Sequence, residues 1–489
     1  MIPYMTAKSL HGDEINKIHS AMLSILSNTG LAVEHAGIRE AYASYGALVD
    51  HRADRVWFPE AVINRFLDET EPPDIAGTTP AGPTLASGTA AADECYRPLC
   101  PGQGPSLSTR SGVSFDLYLE PGSNQVMPFT EETLAGYIKL ARLLDNGILV
   151  RLETLPVGEG RPTQPLEARI FAWKHGALES GGVQMTELCP CLLEMYQIRA
   201  DALGLSTAEV FCGSVYIISP LRIPSDVGDQ IMFFHERGLR VRIGNMFTMG
   251  GTGPVTLAGC LALNLAERVA IGILDRVLFN VRGWVIFGEM APLDMRTLTM
   301  LHGRPEVLLF NLAVIQLAQH YGIPAHTYGG YTDAKHPSAE AGTQKVLTAL
   351  PCILAGGCNL DAGKLGGSLC SPIQMIIDSD LISALRRTLR GFEVNDETLA
   401  LDLIHEVGPG GSYLSSQHTV KHMRSELWQP KTWTKDAYQA QIEEEIKPDV
   451  EWALERWHDL MAKPDPEPGI SEETERRLQA VVDQAAQNL

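Results

Sequence analysis

The chain has 489 residues, 45% of them hydrophobic and 20% charged, the balance of a folded globular protein and not of a disordered one. Its formal net charge of −20 argues against the basic face that nucleic acid or an anionic membrane surface would require. The length suits one large barrel with appendages, or about two to three domains. Nine widely spread cysteines without a C-x-x-C pair point to reduced core thiols and not to a disulfide framework. The N-terminal residues lack a basic stretch followed by an apolar one, and no uncharged apolar run reaches bilayer length, so a cytoplasmic protein is expected.

Ile15, Ile18, Met22, Ile25 and Leu26 recur at helical spacing and predict a first helix over 12–30, closed by Gly30. A second helix is expected over 36–46, a short strand at Val56-Trp57-Phe58, and a third helix with Pro59 as its first residue. From 72 to 128 the composition shifts to Gly, Pro, Ser and Thr with short alternations such as Val113–Tyr118, which predicts small antiparallel strands and a turn at Pro121-Gly122. Thr130-Glu131-Glu132 then opens a helix, and strand-like runs alternate with amphipathic helices. The expected strands are Ile148–Glu153, Val183–Glu187, Glu209–Tyr216, Arg240–Asn245, Trp284–Gly288, Pro324–Gly329, Cys358–Asp361 and Met375–Asp378.

Repeated strand–helix units over 129–410 predict an α/β protein with a closed (β/α)8 TIM barrel. It would carry an N-terminal helical module with a β extension over 1–128 and a C-terminal helical segment over 411–489. No G-x-G-x-x-G follows an early strand, which counts against a dinucleotide-binding fold. Ser471 is expected to start the terminal helix, after the break at Lys463–Gly469.

In such a barrel the chemistry collects at the C-terminal ends of the strands. Polar residues expected there include Glu153, Glu187, Tyr216, Asn245, Glu289 and Asp361, each of which could equally be a cap or an ion-pair partner. The stretch Pro324–Gly342 stands out, because Tyr328, Tyr331, Asp333, Lys335 and His336 follow one another just past a strand that breaks at Gly329-Gly330. Lys335 could form a Schiff base, as a lyase or aldolase would use it, but only if burial lowered its pKa. Gly250-Gly251-Thr252-Gly253-Pro254 would expose backbone N–H groups to an anion if Pro254 opened a helix, or would simply be a tight turn. His418 and His422 share a helix face but have no H-E-x-x-H context, so a structural role is favoured and no tightly bound metal is expected.

Many short motifs in one order resemble the trimethylamine methyltransferase (MttB) superfamily over nearly the whole chain. They include Thr29-Gly30-Leu31, Tyr45–Asp50, Gly253–Gly259, Asn264 with Ala266-Glu267, Asp294–Thr297, Gly303–Glu306, Tyr331–Lys335 and Val407–Gly411 with His418-Thr419. The resemblance implies a (β/α)8 barrel that transfers a methyl group from an amine to the cob(I)alamin of a partner corrinoid protein. Founding members carry pyrrolysine in or beside the Pro324–Gly342 stretch, where this chain has ordinary residues, His336 and Pro337 being nearest. That departure implies the branch acting on quaternary amines such as glycine betaine. Tyr96, Tyr328 and Tyr331 would then offer aromatic faces to the cation, with Glu187 and Glu289 as counter-charges and Asp333 beside them. His336, or Lys335, would hold a betaine carboxylate, and the loop Gly250, Gly251, Thr252 and Gly253 would face the corrinoid. Self-association is expected as well. A betaine-binding barrel without turnover is the remaining reading.

Overall fold

The computed structural model describes residues 9–71, 106–433 and 447–488, apart from Phe115, Asn124, Asp145, Glu153, Gly158, Glu159, Ser180 and Gln184. Eight parallel strands close a barrel: β1 Ser106–Val113, β2 Leu149–Leu152, β3 Leu178–Glu179, β4 Gly213–Tyr216, β5 Val241–Gly244, β6 Ile286–Gly288, β7 Ala325–Gly329 and β8 Gly357–Asp361. Neighbours pair in that order, and β8 returns to β1 with Asp361 opposite Arg110. Two joints use extra backbone. β3 reaches β4 through a bridge between Gly182 and Ser214, and β5 reaches β6 through their continuations Phe247–Met249 and Met290–Asp294.

Each strand is followed by a helix on the outside, from Glu131–Leu143 after β1 to Pro372–Arg390 after β8. Local chemistry sets the helix ends. Ser338 and Ser371 accept from the backbone N–H of Ala341 and Gln374, and Pro305 and Pro372 occupy first positions. Gly176, Gly204 and Gly322 close three helices in the left-handed conformation. The helix Leu257–Phe279 is apolar enough in length and composition to cross a membrane, yet it is mostly buried inside the protein between the barrel and the first helix.

Three expectations change, the first being the strand Val183–Glu187: the third barrel strand is Leu178–Glu179, and residues 186–188 form a tight helical turn. The barrel's first strand is Ser106–Val113, inside the Gly- and Ser-rich stretch read above as part of the extension. The expected strand at Met375–Asp378 lies instead in the helix Pro372–Arg390, started by the Ser371 cap and Pro372. Other boundaries shift slightly: Pro59 is the cap of helix Glu60–Asp68, and residues 207–210 are helical before β4 begins. Around the barrel, the small sheet of Leu31–Val33, Leu48–Asp50 and Arg55–Trp57 is joined by Arg222–Ile223. At the other end of the chain, Asp449–Met461 packs on Pro372–Arg390, and Glu472–Asn488 packs on Cys189–Leu203.

Candidate functional site

The break after β7 is built by close approach. A Cβ on Gly329 would lie 2.6 Å from the Thr348 carbonyl oxygen. Gly330 has φ +73°, and a Cβ there would lie 2.7 Å from Leu360, so both positions require glycine. The amides of Gly330 and Tyr331 donate to Thr348 Oγ1 at 3.1 and 3.2 Å. Beneath the turn, the fully buried Lys345 ammonium donates to the Gly330 carbonyl at 2.8 Å and pairs with Asp378 at 2.9 Å. That ion pair ties the loop to the helix after β8, and sequence reading did not anticipate it.

Beyond the turn the expected residues separate. Asp333 accepts from the backbone N–H of His302 and Gly303, at 2.7 and 3.2 Å, and pairs with Arg304 at 2.8 Å. It therefore fastens the preceding βα loop, which accounts for the Gly303-Arg304-Pro305 motif. Lys335 is exposed, with its ammonium 3.2 Å from the Gly366 carbonyl. It lacks the burial that a Schiff-base lysine needs. His336 is exposed on the same loop. Glu187 stands exposed on the turn Thr186–Leu188 after β3, and Tyr96 lies outside the described residues.

Tyr328, Tyr331 and Glu289 do converge, at the C-terminal mouth of the barrel. Their common neighbour is Arg110 of β1, which lies within electrostatic reach of all three and of Asp361. Its guanidinium sits 4.3 Å over the Tyr328 ring, and its Nε lies 3.4 Å from Asp361 Oδ2. One face of Tyr328 is thus already taken by a cation of this chain. Tyr331 is partly buried and lies 5.4 Å from the His302 ring, and Tyr216 donates to Glu289 at 3.4 Å. Burial, with Asp361 and Glu289 nearby, holds the Tyr331 hydroxyl protonated well above its ordinary range, against the pull of Arg110.

Next to Tyr216 and Tyr328 lies a cavity of about 130 Å³, bounded by barrel strands and by the helix Leu257–Phe279. Arg151, Arg240, Arg242 and Arg268 line it, with His326, Tyr328 and a single carboxylate, Asp275. Burial holds the His326 imidazole down to about 3, and Arg110, Arg151, Arg242 and Arg268 add to the effect, so the ring is neutral. Arg268 stays protonated at neutral pH although burial lowers it to about 10. These arginines escaped the sequence reading, yet a signal was present. Arg151 and Arg242 each sit between apolar residues of a short strand, the alternation that turns every second side chain inward.

The loop Gly250–Gly253 is a closed turn and does not open a helix. The amides of Gly251 and Gly253 donate to the Thr248 carbonyl and that of Gly250 to Gly253, while the helix starts only at Leu257. With those N–H groups engaged, the anion-binding reading of the glycines loses its donors. The motif residues Asn264 and Glu267 instead hold strand ends. Glu267 accepts from Asn245, Ser219 and the Leu221 amide, each at 2.8 Å, and Asn264 accepts from Asn245 at 2.9 Å. His418 and His422 stack at 4.3 Å, and His422 lies 3.2 Å from Glu397. Among the described residues no cluster of three or more His, Cys, Asp or Glu could hold a metal ion.

Comparison with known proteins places this geometry in context. The family described as trimethylamine methyltransferase (MTTB) matches residues 191–489, more than half of the chain. The glycine betaine methyltransferase of Desulfitobacterium hafniense (strain Y51) is 26% identical over 489 residues, covering 96% of each chain. The trimethylamine methyltransferase MttB of D. hafniense (strain DSM 10664 / DCB-2) is 26% identical, over 85% of this chain and 81% of its own. A crystal structure of the Methanosarcina barkeri monomethylamine methyltransferase (MtmB) aligns with 98% of this chain and 88% of its own, at 12% identity and a TM-score of 0.43. On the family match, this chain belongs to the trimethylamine methyltransferase (MTTB) family.

Proposed function

We propose that this protein moves a methyl group from a quaternary ammonium substrate to the corrinoid of a separate protein. The observation that carries the reading is the likeness to a glycine betaine methyltransferase across 96% of both chains. The chemistry of the mouth agrees with it. A quaternary nitrogen is already cationic, so the amine leaves neutral with the C–N electron pair and needs no general acid. What the protein must supply is position and a setting for a cation that cannot donate hydrogen bonds. Tyr331 offers the aromatic face, while Glu289 and Asp361 supply negative charge beside it. Tyr328 contributes less as a cation platform, because Arg110 covers one of its faces. The corrinoid supplies the nucleophilic electron pair from its partner protein, which docks over the mouth. Met246, Val255, Met295 and Leu298 stand exposed on the loops leaving β5 and β6 and form the apolar part of that rim.

The proposal is tested by single-turnover methylation of a reduced corrinoid protein, comparing glycine betaine and tetramethylammonium with trimethylamine. Quaternary amines should react and the tertiary amine should not; reaction of trimethylamine alone would sink the reading. Tyr331→Ala and Glu289→Gln should each lower kcat/KM by about 3- to 30-fold, the range of one cation–π contact. Unchanged kinetics in both variants would remove the mouth from the account.

A further inference from the structure

We propose that residues 391–430 form an arm that packs against a second copy of this chain, in a two-fold contact at the end of the barrel opposite the mouth.

The segment leaves the barrel at the end of helix Pro372–Arg390 and returns beside the same helix. There Trp428 Nε1 donates to Ser383 Oγ at 2.8 Å, and the Thr432 amide and hydroxyl donate to Asp380. Between those roots lie three short helices, Asp396–Leu399, Leu401–Val407 and Gln417–Glu426, with Asn395 and Ser416 capping the first and last. Gly408 and Gly410 take positive φ in the turn between them, and the Thr419 hydroxyl donates to the Tyr413 carbonyl at 2.8 Å. The Val407–Gly411 and His418-Thr419 motifs therefore shape this arm. Yet no residue from 391 to 430 is buried. Helices of 4, 7 and 10 residues are marginal in water unless packing covers an apolar face.

That face is large. Ten big apolar side chains of the arm are exposed, and Val394, Leu401, Leu414, Val420 and Leu427 are each more than half exposed. At roughly 60–100 Å² of exposed surface apiece, they offer on the order of 600–1,000 Å² per chain. A monomer ordinarily shows a smaller patch. Two arms face to face would bury about 1,200–2,000 Å², the size of a stable specific interface.

Position and charge together identify the cover as a second copy. In a strand–helix unit the helix runs back from the strand's C-terminal end, so Arg390 lies at the far end of the barrel. Arg386 agrees, since it donates at 2.9 Å to the carbonyl of Asn146, at the entry to β2. A corrinoid protein over the mouth, where the proposed function docks it, does not reach this end. A chain of net charge −20 also repels its copies over most of its surface, so copies meet where both signs are displayed. Residues 392–407 hold five acidic side chains and no lysine or arginine, and Glu397 among them is paired with Lys421 inside the arm. At the arm's root, Arg387, Arg390 and Arg424 line a groove of about 370 Å³ with Leu427 and Trp428. Arg387 also pairs with Glu426 of its own chain at 3.2 Å, so the match is one of overall sign and not of a bare cation. A two-fold axis brings the acidic half of each arm to the arginine-lined root of the other.

Sedimentation velocity on the full chain without substrate tests this, and its outcome is independent of methyl transfer. The wild type should run as a dimer or a larger even-numbered assembly. The double variant Leu414→Glu, Val420→Glu should raise the dissociation constant at least about thirtyfold with an unchanged far-UV circular dichroism spectrum. Arg424→Glu should weaken the assembly as well. A monomeric wild type, or equal association in the wild type and both variants, would overturn the proposal. Should the variants fail to fold, hydrogen exchange on the wild type decides. Protected amides over Gln417–Glu426 support the covered arm, and exchange as fast as in a free short helix refutes it.

Discussion

At the scale of single residues, two basic groups exchange importance. Lys335 looks reactive on its loop but is exposed beside the Gly366 carbonyl, whereas His326, two residues before Tyr328, is buried among arginines. Folding lowers the His326 pKa from the ordinary 6.5 to about 3. The stability that depends on its neutral ring is therefore complete above about pH 6.5 and is lost as the pH falls from there through about 3. Histidine-selective NMR should show this ring neutral at pH 5, and His326→Asn should flatten the acid limb of an unfolding-versus-pH curve. A ring that titrates near 6.5 would contradict its burial beside the arginines. The residues that sequence did expose, Tyr328, Tyr331 and Glu289, lie together at the mouth; His336 and Glu187 are exposed on other turns. Spacing along one loop could locate that loop, but not tell which of its side chains turn inward.

At the scale of elements, the turn after β7 is the part most constrained by its own backbone. Gly330→Ala forces a Cβ into the left-handed region and against Leu360, and should cost about 1–3 kcal/mol in chemical denaturation. A neutral substitution there would mean that the turn is looser than its contacts imply. The legibility of the other elements follows their composition. Six of the barrel strands were recognisable as apolar runs between helices, but β1 was not, and β3 lies at Leu178–Glu179, ahead of the expected Val183–Glu187. Its core positions Ser108, Thr109 and Ser111 are hydroxyl residues that bond to Asn359, to the carbonyls of Asn146 and Gly147, and to Tyr137. Such a strand is buried by satisfied polar contacts, which no hydrophobic pattern announces. Met375–Asp378 misleads in the opposite sense. Its apolar run is a helix buried against the barrel and the C-terminal helices, and length and caps, not periodicity, decide it.

At the scale of the whole molecule, the charge distribution runs against the composition. A chain of net charge −20 has a cavity lined by four arginines, so bulk charge described the surface and said nothing of the pocket. Met246, Val255, Met295 and Leu298 stand exposed on the loops leaving β5 and β6, where the proposed function docks the partner. Replacing Met295 and Leu298 by Glu should slow methyl transfer to the corrinoid protein by about tenfold or more, as loss of central apolar contacts does at interfaces. Transfer to free cobalamin should be unaffected. Equal slowing with both acceptors would move the docking face elsewhere. The central claim, that a quaternary amine gives up its methyl group here, is tested most directly with glycine betaine labelled with 13C on its N-methyl groups. The account predicts label on the corrinoid protein and dimethylglycine released in equal amount; an unlabelled corrinoid with no dimethylglycine would contradict it.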